Sequence, residues 1–119
     1  MESKRQQKFA RVIQKELGEV FQRDGNHFLP GVMITITQIR VTSDLSIARV
    51  YLSFFKGIGP AQSLQAIQSQ SREIRYKLGE KIKDQVRAIP QLNFFLDDTN
   101  EYSERMDLIF SQINKETPS

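Results

Sequence analysis

Between Pro60 and Pro90 the sequence carries an apolar repeat, Leu64, Ile67, Ile74, Leu78, Ile82, Val86 and Ile89, at spacings of three, four and seven. No other stretch holds so long a helical period, and prolines bracket it at both ends. On a wheel of roughly 100° per residue these side chains form one stripe, interrupted at Ser71, where a further apolar residue is due. Around the gap runs Gln68-Ser69-Gln70-Ser71-Arg72, residues that compete with helix or support it weakly. The pattern predicts two helices meeting at a kink near residues 69–72, with one bent helix as the alternative.

On the flank of the second half, Arg72, Tyr76, Gly79, Lys83 and Arg87 recur at helical spacing as a basic stripe with one aromatic and one glycine. Such a stripe suits a polyanion; the competing reading is a solvated face beside an i,i+4 pair of Glu73 and Lys77. Glycine inside a helix costs about 1 kcal/mol against alanine, so Gly79 implies close approach by a strand or by a ligand.

At 119 residues, 39% hydrophobic and 26% charged, the chain is long enough to bury a core as one domain. We place that domain at residues 1–114, followed by a short flexible tail at 115–119. Seventeen basic against 14 acidic residues make it mildly basic, so the placement of charge matters more than its sum. The absence of cysteine excludes disulfides, cysteine-based zinc sites, iron–sulfur clusters and thiol catalysis, and suits a reducing cytoplasm. The amino-terminal residues are too charged for a signal-peptide core, and nowhere do about 18 apolar residues run together. A soluble, cytoplasmic protein is the expectation.

Ser3 and Gln6 have capping-box spacing ahead of Phe9, Ile13, Leu17 and Val20, predicting a helix from about Lys4 to Phe21 that ends at Arg23-Asp24-Gly25-Asn26. Lys4, Lys8, Arg11 and Lys15 form an all-basic ridge opposite its apolar stripe, with Glu16 and Glu19 off the ridge. This is read as a second phosphate-contacting surface. His27, the only histidine, falls in the expected connection before the Pro30-Gly31 turn and has no partner for metal or triad chemistry.

Val32, Ile34 and Ile36 alternate, then Ile39 and Val41 resume with flipped parity, which predicts a strand with a bulge near Thr37-Gln38. Ala48, Val50, Leu52 and Phe54 mark its hairpin partner. With the bulge, Ile39 opposes Val50, Val41 opposes Ala48, Ile36 faces Leu52, and Arg40 and Arg49 become outward neighbours. Lys56-Gly57-Ile58-Gly59-Pro60 lacks the glycines and the Lys-Ser/Thr of a phosphate loop. Leu92, Phe94 and Leu96 alternate as a third strand, and Asp98 with Glu101 has box spacing before a final helix carrying Tyr102, Met106, Ile109 and Ile113. Asp97-Asp98 reads as a cap region more than as a metal site.

Three strands with helices on one face give an α+β layer. Among small folds with this order the type II KH domain fits best: helix, strand, strand, helix, kink, helix, strand, plus a C-terminal helix. Val41-Thr42-Ser43-Asp44-Leu45 with Ala48-Arg49-Val50-Tyr51 and Ser53 resembles the hairpin signature of the bacterial ribosome-binding factor A family. Ile74-Arg75 with Leu78-Gly79, Arg87 with Pro90, Leu92 and Phe94, and Asp97-Asp98 leading to Glu101, Arg105 and Met106 are similar too. So are Phe9-Ala10, Val12-Ile13 and Glu16-Leu17, and the resemblance spans nearly the whole chain.

That resemblance implies a KH-like RNA-binding factor, not an enzyme, with no cofactor. It implies binding to the small (30S) ribosomal subunit and its 16S rRNA near the 5′-end region, in support of late maturation and rRNA processing. In such proteins an Ala-x-Gly kink replaces the Gly-x-x-Gly loop of ordinary KH domains. Here the aligned residues are Gln70, Ser71 and Arg72, a departure from both patterns. A straight helix at that point would exclude the KH assignment.

The mechanism expected is phosphate contact by Lys4, Lys8, Arg11 and Lys15 and by Arg72, Lys83 and Arg87, with Arg75 at the margin and Tyr76 stacking on an exposed base. Folded rRNA shape is recognised over sequence. The chain is expected to be a monomer when free, with no membrane partner. The competing class is a protein–protein interaction module of similar fold without direct RNA binding. A hydrolase or metal enzyme lacks the residue groupings it needs.

Overall fold

The computed structural model describes residues 2–97. Among these the elements are α1 (Lys4–Phe28), β1 (Met33–Val41), β2 (Ile47–Phe55), α2 (Pro60–Ser69), α3 (Ser71–Ile82) and β3 (Gln91–Leu96). This is the predicted α+β order, with the helix broken at Gln70 as the polar gap requires. The expected final helix, the tail and the domain boundary at residue 114 lie outside the described residues.

Helix α1 opens on the predicted capping box. The Ser3 hydroxyl accepts from the Gln6 N–H at 3.1 Å, and the Gln6 side chain accepts from the Ser3 N–H at 2.8 Å. The same Gln6 amide donates to the Val41 carbonyl at 2.8 Å, which fixes the helix start against β1.

The helix does not stop at Phe21; it runs through Arg23–Asn26 to Phe28. Tertiary packing overrides the weak propensity of Gly25 and Asn26. Phe21 and Phe28 are buried edge to face, with ring centroids 6.4 Å apart, and Gly25 is buried between them. The Leu29 N–H then bonds the Gly25 carbonyl, and the Asn26 side chain accepts from the Gly31 N–H at the turn. His27 consequently lies in the last helical turn and not in a loop, 3.1 Å from Glu73 on α3.

The sheet has strand order β1-β2-β3, with β1 antiparallel and β3 parallel to β2. The hairpin register is the one predicted: Ile36 with Leu52, Ile39 with Val50, Arg40 with Arg49 and Val41 with Ala48. The shift falls between Ile36 and Gln38, and at that bulge the Thr37 hydroxyl donates to the Tyr51 carbonyl at 3.2 Å. Both sides of the bulge can therefore send their apolar residues inward.

All three helices cover one face of the sheet. Ile13 and Leu17 of α1, Ile67 of α2, and Ile74, Leu78 and Ile82 of α3 meet Val50, Leu52, Leu92 and Phe94 in one core. Each such side chain contributes about 1.5–3 kcal/mol when fully buried. Leu64, Val86 and Ile89, the outer members of the same repeat, are partly buried against it.

Helix α3 ends at Ile82, well short of Pro90, with the Val86 N–H turned back onto the Ile82 carbonyl. Pro90 restricts Ile89 to extended backbone, and Arg75 holds both residues by donating to their carbonyls. Val86 and Ile89 keep the helical period in sequence but reach the core from a loop. One consequence concerns Gly79: a Cβ there would sit 3.3 Å from Ile89 Cγ1. The close neighbour within the protein is this loop side chain and not a strand.

Candidate nucleic-acid interface

Lys4, Lys8, Arg11 and Lys15 are all exposed along one face of α1, as their spacing demands. The acidic residues of the helix pair with α3. Glu16 and Glu19 take Lys81 of α3 at 3.6 and 2.9 Å, and Asp24 takes Lys77 at 3.7 Å. The short Lys81 hydrogen bond, then its charge, holds the Glu19 carboxyl below its ordinary range, and the same bond raises Lys81. Lys15 alone of the ridge approaches an acid, Glu16, at 3.9 Å. Among the described residues no ion pair joins Lys4, Lys8 or Arg11.

The second stripe is reassigned by the end of α3. Arg72 and Tyr76 are exposed on the helix, Tyr76 at 67%. Lys83 is its C-cap and lies 3.8 Å from Glu80. Arg87 is off the helix altogether, in the loop before β3. Glu73 and Lys77 do not pair with each other as expected; they reach across to His27 and Asp24 on α1. Arg75 is a structural as well as a surface cation, its guanidinium donating to Pro90 at 2.9 Å and Ile89 at 2.7 Å.

The fold joins parts of the two stripes at one cleft. A cavity of about 600 Å³ opens between the first turns of α1, the β1–β2 turn and the α3–β3 loop. Lys8, Arg75 and Arg87 line it together with Arg5. Lys4, Arg11, Lys15, Arg72, Tyr76 and Lys83 do not line it. Sequence reasoning misses Arg5, although it stands three residues before Lys8 and so shares its helix face. The cleft's carboxylate, Asp44, is held within the turn: it accepts from the Ser46 hydroxyl at 2.7 Å, the Thr42 hydroxyl at 2.8 Å and the Ser46 N–H at 3.1 Å. Those bonds, led by the Ser46 hydroxyl, lower its pKa.

At the kink, Gln70 separates α2 from α3 with φ −111° and ψ 15°. Its side-chain amide donates to the Phe28 carbonyl at 2.7 Å and to the Ala66 carbonyl at 3.0 Å, tying together the ends of α1 and α2. Ser71 begins α3 and Arg72 follows it into solvent. A second cleft, of about 320 Å³, runs between this kink and β3, lined by Gln68, Ser71 and the stretch Leu92–Phe95. Gln68 bridges it by donating to the Phe94 carbonyl at 3.1 Å.

The sheet face opposite the three described helices is a third surface. Arg40 and Arg49 are cross-strand neighbours there, as predicted, and Tyr51 stacks on Phe95 with centroids 5.5 Å apart. Met33 and Phe55, directly paired, are more than half exposed. Among the described residues no group of three or more histidine, cysteine or acidic side chains could hold a metal ion, and no helix is long and apolar enough to cross a membrane.

A bulged hairpin and a parallel third strand, joined by two helices broken at a polar kink and covered by a basic first helix, define a type II KH-like domain. Comparison with known proteins gives the family. The chain belongs to the ribosome-binding factor A family, whose model matches residues 5–110. Ribosome-binding factor A of Cytophaga hutchinsonii is 42% identical over 113 residues, covering 95% of this chain and 85% of that one. The fold is similar to the crystal structure of ribosome-binding factor A from Thermus thermophilus, with TM-score 0.64 at 21% identity over 76% of this chain and 94% of that one. It is also similar to coordinates of the Thermus thermophilus factor fitted into the cryo-EM map of a 30S complex, with TM-score 0.56 at 24% identity over 71% of this chain and 86% of that one.

Proposed function

We propose that this chain binds the small ribosomal subunit by contacting 16S rRNA phosphates, and that it supports late maturation and rRNA processing without catalysis. The observation that carries the reading is the basic ridge on α1, from which Glu19 and Asp24 are withdrawn into pairs with α3, while Glu16 is shared between Lys81 and Lys15. An amphipathic helix that spends its acids on its own protein leaves its lysines for a polyanion. The family and the 30S complex of the Thermus thermophilus factor support the same partner.

Lys4, Lys8, Arg11 and Lys15 supply the first set of phosphate contacts, and Arg72, Lys83 and Arg87 the second, with Tyr76 free to stack on a base. Arg75 contributes from the cleft. Residues 1–114 act as one domain, monomeric when free and working in the cytoplasm.

Co-sedimentation with precursor and mature small subunits, across a salt series and after nuclease treatment, tests this. Binding should favour precursor subunits and weaken steeply with salt. Salt-insensitive binding that survives nuclease would instead favour a protein–protein module. That second reading draws on the apolar sheet face at Met33 and Phe55.

A further inference from the structure

We infer that the cleft between α1, the β1–β2 turn and the α3–β3 loop receives one unpaired nucleotide of the bound RNA, base inward and flanking phosphates on the rim. This rests on the rRNA-binding reading above and names the part of the RNA that one site takes.

The cleft is two-toned. Its inner wall is apolar, built from Phe9, Val12, Leu45, Val86 and Ile89, whereas its rim carries Arg5, Lys8, Arg75 and Arg87 against the single carboxylate of Asp44. At about 600 Å³ it falls within the range of small-ligand pockets, roughly 300–1,000 Å³. A flat, largely apolar group bracketed by negative charges matches that distribution, and a nucleotide turned out of a helix is such a group. A paired base could not reach the inner wall.

Two local features suit a base. The loop carbonyls of Ile89 and Pro90 each accept from the Arg75 guanidinium. The same two bonds fix the guanidinium plane at the cleft, where it offers a flat cationic surface for stacking. The wall opposite depends on Leu45, whose φ of 62° puts a branched side chain in the left-handed region. Glycine or asparagine is the ordinary occupant of such a turn position, so the chain accepts backbone strain where Leu45 completes the apolar wall.

The test uses the full chain and two RNA hairpins that differ only by one unpaired adenine in the stem. The bulged hairpin should bind roughly tenfold tighter, in keeping with the worth of one stacked base. Leu45→Gly, which relieves the turn, and Arg87→Ala, an exposed change, should each shrink that preference while the melting temperature shows a folded protein. Equal affinity of the wild-type chain for both hairpins, failure to bind either, or a preference unchanged in Leu45→Gly would overturn the inference. None of those results bears on small-subunit binding, which the co-sedimentation experiment decides separately.

Discussion

Lys81 of α3 reaches Glu19 of α1 at 2.9 Å, the shortest of four links between these helices, the others being Lys81 with Glu16, Lys77 with Asp24 and Glu73 with His27. As α1 advances, its partners step backwards along α3, so the two helices lie antiparallel and are held at successive turns. The pairs sit away from the lysine ridge. One arrangement therefore serves packing and also keeps the α1 ridge positive.

The Glu19 carboxyl titrates below its ordinary range because of Lys81, which gives acid stability a definite sign. Its contribution is present above the unfolded carboxylate pKa and is lost as pH falls through the depressed folded value. Glu19→Gln should lower the urea midpoint at neutral pH and flatten its decline on the acid side. Denaturation curves from neutral pH to below the carboxylate range would check both effects, and an unchanged acid slope would contradict them.

Gly79 sits in the middle of α3, and its replacement by alanine sets helix propensity against the 3.3 Å approach of Ile89. In the wild-type background the two should nearly cancel. Combined with Ile89→Ala, which removes Cγ1 and the rest of the side chain beyond Cβ, Gly79→Ala should stabilise by about 1 kcal/mol relative to Ile89→Ala alone. A thermal double-mutant cycle measures that coupling.

The Gln70 amide serves two helix ends at once, so Gln70→Ala should cost about 1–2 kcal/mol despite the partial exposure of the residue. Amide exchange should accelerate around Phe28 and Ala66 in the same variant. Loss of stability without faster exchange there would assign the cost elsewhere.

Ser63 is fully buried at the start of α2, and its hydroxyl has no hydrogen-bond partner among the described residues. Removing an unsatisfied buried hydroxyl and adding a better helix former work in the same direction. Ser63→Ala should raise stability by about 1 kcal/mol, read as a higher urea midpoint with an unchanged slope.

If the α1 ridge contacts phosphates, replacing Lys4, Lys8, Arg11 and Lys15 together should reduce the salt slope of small-subunit binding by about 3 and leave the melting temperature nearly unchanged. Binding with the wild-type slope would remove the ridge from the interface.

Most of the fold is legible in local pattern. Period-two alternation with one parity flip places the bulge, and through it the pairing of Arg40 with Arg49. A single polar residue at an apolar position locates the kink. What sequence misjudges are two helix ends, both decided by contacts distant in the chain. Phe28 packing on Phe21 carries α1 past its glycine, and Arg75 gripping Ile89 and Pro90 sits at the loop where an apparent helical period has left the helix.

The candidate site is legible as charge and not as shape. Helical spacing finds Lys8, but it leaves Arg75 at the margin of the reading and puts Arg87 in a stripe that residue does not join. Arg5, Asp44 and Leu45 become relevant only when three segments close around one cleft. For Gln70 the family's kink pattern is no guide, because the long side-chain amide ties the break by hydrogen bonds to the Phe28 and Ala66 carbonyls.

The parallel pairing of β3 with β2 has a bearing on the order in which the chain assembles. The β1–β2 hairpin closes over a turn of a few residues, but β3 joins only after both intervening helices, between Phe55 and Gln91, have been laid down. Local contacts form ahead of those with a high loop-closure cost. Among the described elements the hairpin with α1 is expected to form first and β3 to dock after it. Because Gln91 borders the cleft and the Ile89 and Pro90 carbonyls meet Arg75 beside it, that cleft is complete only once the β3 docking step has taken place. A chain caught before that step would carry the lysine ridge without the pocket.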